Sequence, residues 1–207
     1  MTPEQFIDAK AVYKYAIARD AFWEVARTAD ALLQSGASSD SPGYFATSVG
    51  LVTLYRRPFT KNEPTGPIST DLIPREFQTL HKHLSILRNQ AFAHTDSGGK
   101  IPGHGKTTDL RFHMEGYRLK NFSSRTVIEP PLLPSVKLLA EALLASVKTL
   151  HDTHLNRLIP FLVEGILKAG YSKEFELNIE DPDGPLLLER KPIRDEFPFV
   201  LPPTESD

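Results

Sequence analysis

In the stretch Leu87-Arg88-Asn89-Gln90-Ala91-Phe92-Ala93-His94-Thr95-Asp96, a guanidinium, an amide and an imidazole follow one another closely. Arginine keeps its charge and presents a planar fork that matches phosphate oxygens. Histidine titrates near neutrality, so it takes or gives a proton at little cost. Cleaving an RNA phosphodiester without a metal requires a base for the 2′-hydroxyl proton, an acid for the leaving 5′-oxygen and a fixed cation for the crowded phosphorane. Imidazole suits the first two roles and guanidinium the third. One chain, however, offers a single histidine in this stretch. On an α-helix Arg88 and His94 stand roughly 120° apart around the axis and about 9 Å apart along it. A two-fold dimer would bring both residues of each chain to one shared groove. The same residues also have a plainer reading: His94 continues the apolar stripe as a core or capping histidine, and Arg88 pairs with a neighbouring carboxylate.

Arg88 followed by Asn89, then His94 after four further residues, at the end of a helix in a helical chain, resembles the motif of the HEPN superfamily. Asn89 matches the polar residue often found after the arginine there, and Ala93-His94-Thr95-Asp96 resembles the usual end of the motif. The resemblance covers Pro74 to Gly98 well and the scaffold from Pro3 to Lys168 in outline. It implies an all-α bundle whose Arg88, Asn89 and His94 form a composite active site in a homodimer, cutting RNA in a toxin–antitoxin or abortive-infection setting. A cognate antitoxin or inhibitor protein is then an expected partner. The alternative it implies is a non-catalytic module of the same shape that binds RNA, nucleotide or protein. No cofactor and no metal are expected in either case.

Tyr55, Arg56 and Arg57 at the end of the second helical segment, together with Lys106, are candidates to contact the RNA backbone. An exposed cluster of helix-end charges explains the first three equally well. From Tyr55 to Arg125 there are 12 basic and 6 acidic residues, against a formal charge of -2 for the whole chain. Near-neutrality is therefore a cancellation between a basic middle and acidic flanks, which suits a polyanion met at one groove.

Prolines mark where helices can run, because proline cannot continue a helix interior. From Pro3 the apolar positions Phe6, Ala9, Tyr13, Ile17, Ala21, Val25, Ala29 and Leu32 keep three- and four-residue steps and stop at Ser35-Gly36. A second helix is expected from Pro42 to the Arg56-Arg57-Pro58 stop, and 60–73 reads as a loop. Pro74 opens the third, with Phe77, Leu80, Leu84, Leu87 and Ala91 leading to His94. A fourth follows Pro134 through Val136, Leu139, Leu143, Val147, Leu150 and His154, with a break near Pro160. The expected fold is all-α, a bundle of four to five helices with one or two small β-hairpins. The bundle occupies 1–170 with an insertion at about 99–130, hairpin-like or irregular over 109–129. A C-terminal hairpin and a proline-rich acidic tail fill 171–207.

Other chemistries find little support. The absence of cysteine removes disulfides, thiolate metal sites and cysteine nucleophiles, and fits a cytoplasmic setting. Gly105-Lys106-Thr107 lacks the first glycine of a phosphate-binding loop, since position 100 is Lys100, and a helix rather than a strand precedes it. His81 and His83 lie on different helix faces, and His151 and His154 have no evident carboxylate partner, so all four read as solvated or core histidines. Glu63, Asp71 and Glu76 show no glycosidase spacing. The Met1–Ala11 segment is too charged for a secretory signal, and the Leu158–Leu167 run is too short to cross a bilayer, so no membrane role is expected.

Overall fold

The computed structural model describes residues 2–61, 65–92, 100–101, 105–106, 108–115, 118–125 and 127–168, with only the backbone described over 90–92, 100–125 and 164–168. Helix α1 (Pro3–Ser35) begins with a reciprocal capping box. The Gln5 amide donates to Thr2 Oγ1 at 3.2 Å, and the Thr2 amide donates to Gln5 Oε1 at 2.8 Å. Pro3 sits in the first turn, where an amide hydrogen has no intrahelical partner to lose. Gly36 ends the helix in the left-handed region at φ 59°, a conformation that costs glycine nothing. Helix α2 (Pro42–Arg56) repeats the design: Ser41 Oγ accepts from the Tyr44 amide at 3.2 Å and Pro42 occupies the first turn. Both helices therefore start and stop where local sequence predicts. A 3₁₀ turn, Arg57–Phe59, follows α2 directly.

The third helical segment differs from the single α-helix expected between Pro74 and His94. A 3₁₀ turn (Arg75–Phe77) leads into α3 (Gln78–Ile86), and Leu87–Phe92 then winds as a π-helix. Over so short a span the apolar steps Leu84, Leu87, Ala91 fit a 3.6-residue turn and a wider one alike, so spacing does not distinguish them. Arg88 and Asn89 thus sit on a π-helical turn, a conformation that recurs at functional sites.

Helix α4 spans Leu133–Lys168 and runs through Pro160 without the expected break. The helix is held past the proline by packing: Leu158 is buried with Ala9, and Val12 and Leu162 pack against them. Between the π-turn and α4 the backbone pairs as two antiparallel ribbons. β1 (Lys100–Ile101) pairs with β2 (Gly105–Lys106), and β3 (Thr108–Glu115) pairs with β4 (Arg118–Arg125) from Thr108–Arg125 to Glu115–Arg118. The C-terminal hairpin and tail expected within 171–207 lie outside the described residues.

The core is all-α, four helices packed together, with α1 against α4 as the main contact. Helix α2 packs on α1, and α3 and the π-turn pack on α2. Phe22 and Val25 of α1, Leu51 and Tyr55 of α2, Leu84, Leu87, Leu139 and Leu143 are fully buried in one cluster. Each such side chain stabilises the fold by about 1.5–3 kcal/mol relative to exposure. The α1–α4 pair is antiparallel and pinned near both ends. Lys137 Nζ donates to Asp30 Oδ1 at 2.7 Å, and that hydrogen bond raises the lysine pKa. At the other end His154 Nδ1 lies 2.6 Å from Asp8 Oδ1, Arg157 Nη1 lies 3.5 Å from the same oxygen, and Tyr15 stacks on the imidazole with centroids 5.8 Å apart. In sequence His151 and His154 show no evident carboxylate partner. The fold supplies both, Asp152 at 3.0 Å for His151 and Asp8, 146 positions away, for His154.

By length and composition alone, Pro130–Val163 is apolar enough to cross a membrane, a property the shorter Leu158–Leu167 run did not reveal. Here Val136, Leu139, Leu143 and Val147 of that stretch form part of the bundle core.

Candidate functional site

The C-terminal end of α2 meets α3 and the π-turn, and this junction brings together Tyr55, Arg56, His81, Arg88 and Asn89. Tyr55 closes α2 with its ring in the core, fully buried, and its hydroxyl lies 2.8 Å from His81 Nδ1 on α3. Arg56 follows, with Nη1 at 3.4 Å from His81 Nε2. A guanidinium only donates, so His81 Nε2 accepts from Arg56, and Nδ1–H donates to the Tyr55 oxygen. That tautomer makes His81 a neutral imidazole held at both nitrogens. Phe59 packs edge-on to His81 at 4.9 Å between centroids and tilts against Tyr55 and Phe22 at 5.7 and 5.8 Å. The Arg56 guanidinium lies over the Phe59 ring at 5.6 Å, a cation–π contact that favours its charged form.

Burial sets the protonation states. Desolvation, reinforced by the Arg56 charge, pushes His81 down to about 4. The Tyr55 hydroxyl is raised by burial, an effect opposed only in part by Arg56, and stays protonated. Arg56 is lowered by desolvation, with Tyr55 acting against the shift and the Arg88 charge adding to it. The Arg88 effect places the two guanidiniums within electrostatic reach of each other. Among the described residues neither pairs with a carboxylate, and Arg56 Nε is buried without a hydrogen-bond partner. Arg88 instead donates from Nη1 to Asn89 Oδ1 at 3.1 Å, which fixes the guanidinium beside its own helical neighbour. Two half-buried like charges with no carboxylate among the described residues raise the local positive potential, and an anion with several oxygens relieves it.

The sequence candidates divide. Arg56, Arg88 and Asn89 belong to this junction. Tyr55 is an expected RNA contact, but its fully buried ring presents no surface to a ligand, and its hydroxyl lies in hydrogen-bond contact with His81. Arg57, although adjacent to Arg56, is exposed and lines a separate pocket with Lys14. Lys106 lies on β2 opposite Lys100. His94 lies outside the described residues. Sequence reasoning passed over His81 as a solvated or core histidine, because its partners are 25 and 26 positions away on another helix and local spacing carries no sign of them. Among the described residues no group of three histidine, aspartate or glutamate side chains is arranged to hold a metal ion.

The depressed histidine has a testable consequence. His81 binds a proton near its ordinary pKa of about 6.5 when the chain is unfolded, but only at about 4 when folded. The unfolded state therefore holds more protons across that window, and the His81 contribution to stability is complete above about 6.5 and lost as the pH falls towards 4. Urea midpoints measured from pH 7 to pH 4 are expected to fall more steeply for the wild-type chain than for His81→Gln. Parallel pH profiles would show that His81 is not held neutral.

No family model matches the chain, and no curated protein or solved structure matches it either.

Proposed function

We propose that the chain is a metal-independent endoribonuclease of the HEPN type, acting as a homodimer in a cytoplasmic defence or toxin–antitoxin setting. The observation that carries this reading is Arg56 and Arg88, two half-buried guanidiniums that pair with no carboxylate among the described residues, Arg88 itself belonging to the Arg88-Asn89…His94 motif. Arg88 grips the scissile phosphate and Arg56 adds the second charge to the same groove. Asn89 holds Arg88 in place through the bond it already accepts. His94 serves as base or acid, with its counterpart supplied by the partner subunit. In the reaction the 2′-oxygen bonds to phosphorus as its proton leaves, and the bond from phosphorus to the 5′-oxygen breaks as that oxygen takes a proton. The products are a 2′,3′-cyclic phosphate and a 5′-hydroxyl end.

The purified chain, incubated with single-stranded RNA in excess EDTA, is expected to generate those two end groups. Cleavage that depends on added divalent metal, or that leaves 5′-phosphate ends, contradicts the reading. One observation favours a second reading, a binding module without catalysis: His81, the histidine seated beside the guanidiniums, is too weak a base at about 4 to move a proton near neutrality. On that reading RNA is bound in EDTA and recovered intact.

A further inference from the structure

The two guanidiniums at the junction of α2 with α3 and the π-turn are oriented in the same way. Arg88 Nη1 donates to Asn89 Oδ1 at 3.1 Å, and Arg56 Nη1 donates to His81 Nε2 at 3.4 Å. Both acceptors are uncharged. A carboxylate in either place would orient the arginine and offset its charge, whereas an amide or a neutral imidazole orients it and leaves the charge for another anion. Arg56 is constrained further: its guanidinium lies over the Phe59 ring at 5.6 Å, and its Nε is buried without a hydrogen-bond partner. A buried donor left unmade costs free energy, so the bond from Nη1 matters the more to where the side chain sits. His81 accepts at Nε2 only as the tautomer with its proton on Nδ1, and the Tyr55 oxygen, 2.8 Å from Nδ1, takes that hydrogen bond. Burial, helped by the Arg56 charge, holds the imidazole down at about 4, so near neutrality the Nε2 lone pair carries no proton.

We propose that His81 is a positioning residue for RNA binding: its Nε2 lone pair, oriented by the Tyr55 hydroxyl, fixes the Arg56 guanidinium within electrostatic reach of Arg88, so that two uncancelled charges meet the RNA backbone. The ligand rests on the endoribonuclease reading, and the role rests on the hydrogen bonds above. His81 touches no substrate and acts through Arg56. Packing alone asks only for a flat ring against Tyr55 and Phe59, which lie 5.8 and 4.9 Å from the imidazole between centroids. Positioning asks for an acceptor at one atom. The two roles therefore part when the acceptor is moved.

Two amides divide the two bonds of the imidazole. In His81→Gln the side-chain oxygen reaches the place of Nε2 and accepts from Arg56, and in His81→Asn the shorter side chain reaches only the place of Nδ1 and donates to Tyr55. The full chain is titrated over a range of salt concentrations with a short 2′-O-methyl oligoribonucleotide, which lacks the attacking hydroxyl and stays intact. His81→Asn is expected to bind about tenfold more weakly, the worth of one hydrogen bond to a charged group. Its slope of log affinity against log salt should be shallower by about 0.7, one phosphate contact, as in Arg56→Ala. His81→Gln should keep the wild-type slope and stay within about threefold of wild-type affinity, a smaller loss than one such bond. Arg56→Ala with the wild-type slope would overturn the RNA reading of Arg56 and the role of His81 together. A shallower slope in Arg56→Ala but not in His81→Asn, or an equal loss in His81→Asn and His81→Gln, would overturn the positioning role alone. Nitrogen-15 spectra of the wild-type chain at pH 7 need no substitution: they should show the His81 proton on Nδ1, and a proton on Nε2 would also overturn the role.

Discussion

Replacing His94 with alanine is expected to lower RNA cleavage by about 10²–10⁴-fold, the usual worth of a positioned acid or base, while leaving the unfolding transition within about 0.5 kcal/mol of wild type. Single-turnover cleavage of a labelled RNA measures the first effect and urea unfolding the second. Arg88→Ala should lose activity on a similar scale, because the guanidinium faces charge that is greatest in the transition state. Arg88→Lys should not restore it, since an ammonium cannot reproduce the two-pronged contact to phosphate oxygens. Full activity in His94→Ala would remove the catalytic role of the motif and leave only its capacity to bind.

The largest stability effect is expected at Tyr55, where one ring serves both the core and the site. Tyr55→Ala removes a fully buried aromatic side chain that touches Phe22, Phe59 and His81, and should cost about 3–5 kcal/mol. Tyr55→Phe keeps the ring and deletes only the hydroxyl 2.8 Å from His81 Nδ1, a loss of about 0.5–1.5 kcal/mol. The two variants separate packing from positioning. Urea midpoints at unchanged slope report both, and equal costs for the two substitutions would mean that the hydrogen bond, not the ring, carries the contribution. Tyr55→Phe should also loosen His81 and, through it, Arg56, so its cleavage rate should fall by more than its stability accounts for.

The parts of this fold that sequence made legible are those governed by local chemistry. Thr2-Pro3, Ser35-Gly36, Ser41-Pro42 and Arg57-Pro58 each punctuate a helix through caps, lost amide hydrogens or a left-handed turn, and the boundaries of α1 and α2 follow. The buried stripe of α4 was visible in its spacing, but its continuation through Pro160 was not, because the contact that sustains it, Leu158 with Ala9, joins opposite ends of the chain. The partners of His154 and His81 were hidden for the same reason: a carboxylate 146 positions away and a hydroxyl 26 positions away leave no mark on local pattern. Arg56 and Arg57 looked equivalent in sequence. The change from α-helix to 3₁₀ turn between them sends one towards His81 and Arg88 and the other towards Lys14.

Arg56 and Arg88, which pair with no carboxylate among the described residues, are on this account there to meet phosphate. The salt dependence of RNA binding measures this directly, because each phosphate neutralised on a single strand contributes about 0.7 to the slope of log affinity against log salt concentration. The chain carrying both Arg56→Ala and Arg88→Ala is expected to bind single-stranded RNA more weakly than wild type, with a slope shallower by about 0.7 for every phosphate the pair contacts. A double variant with the wild-type slope would show that these guanidiniums do not touch the RNA backbone.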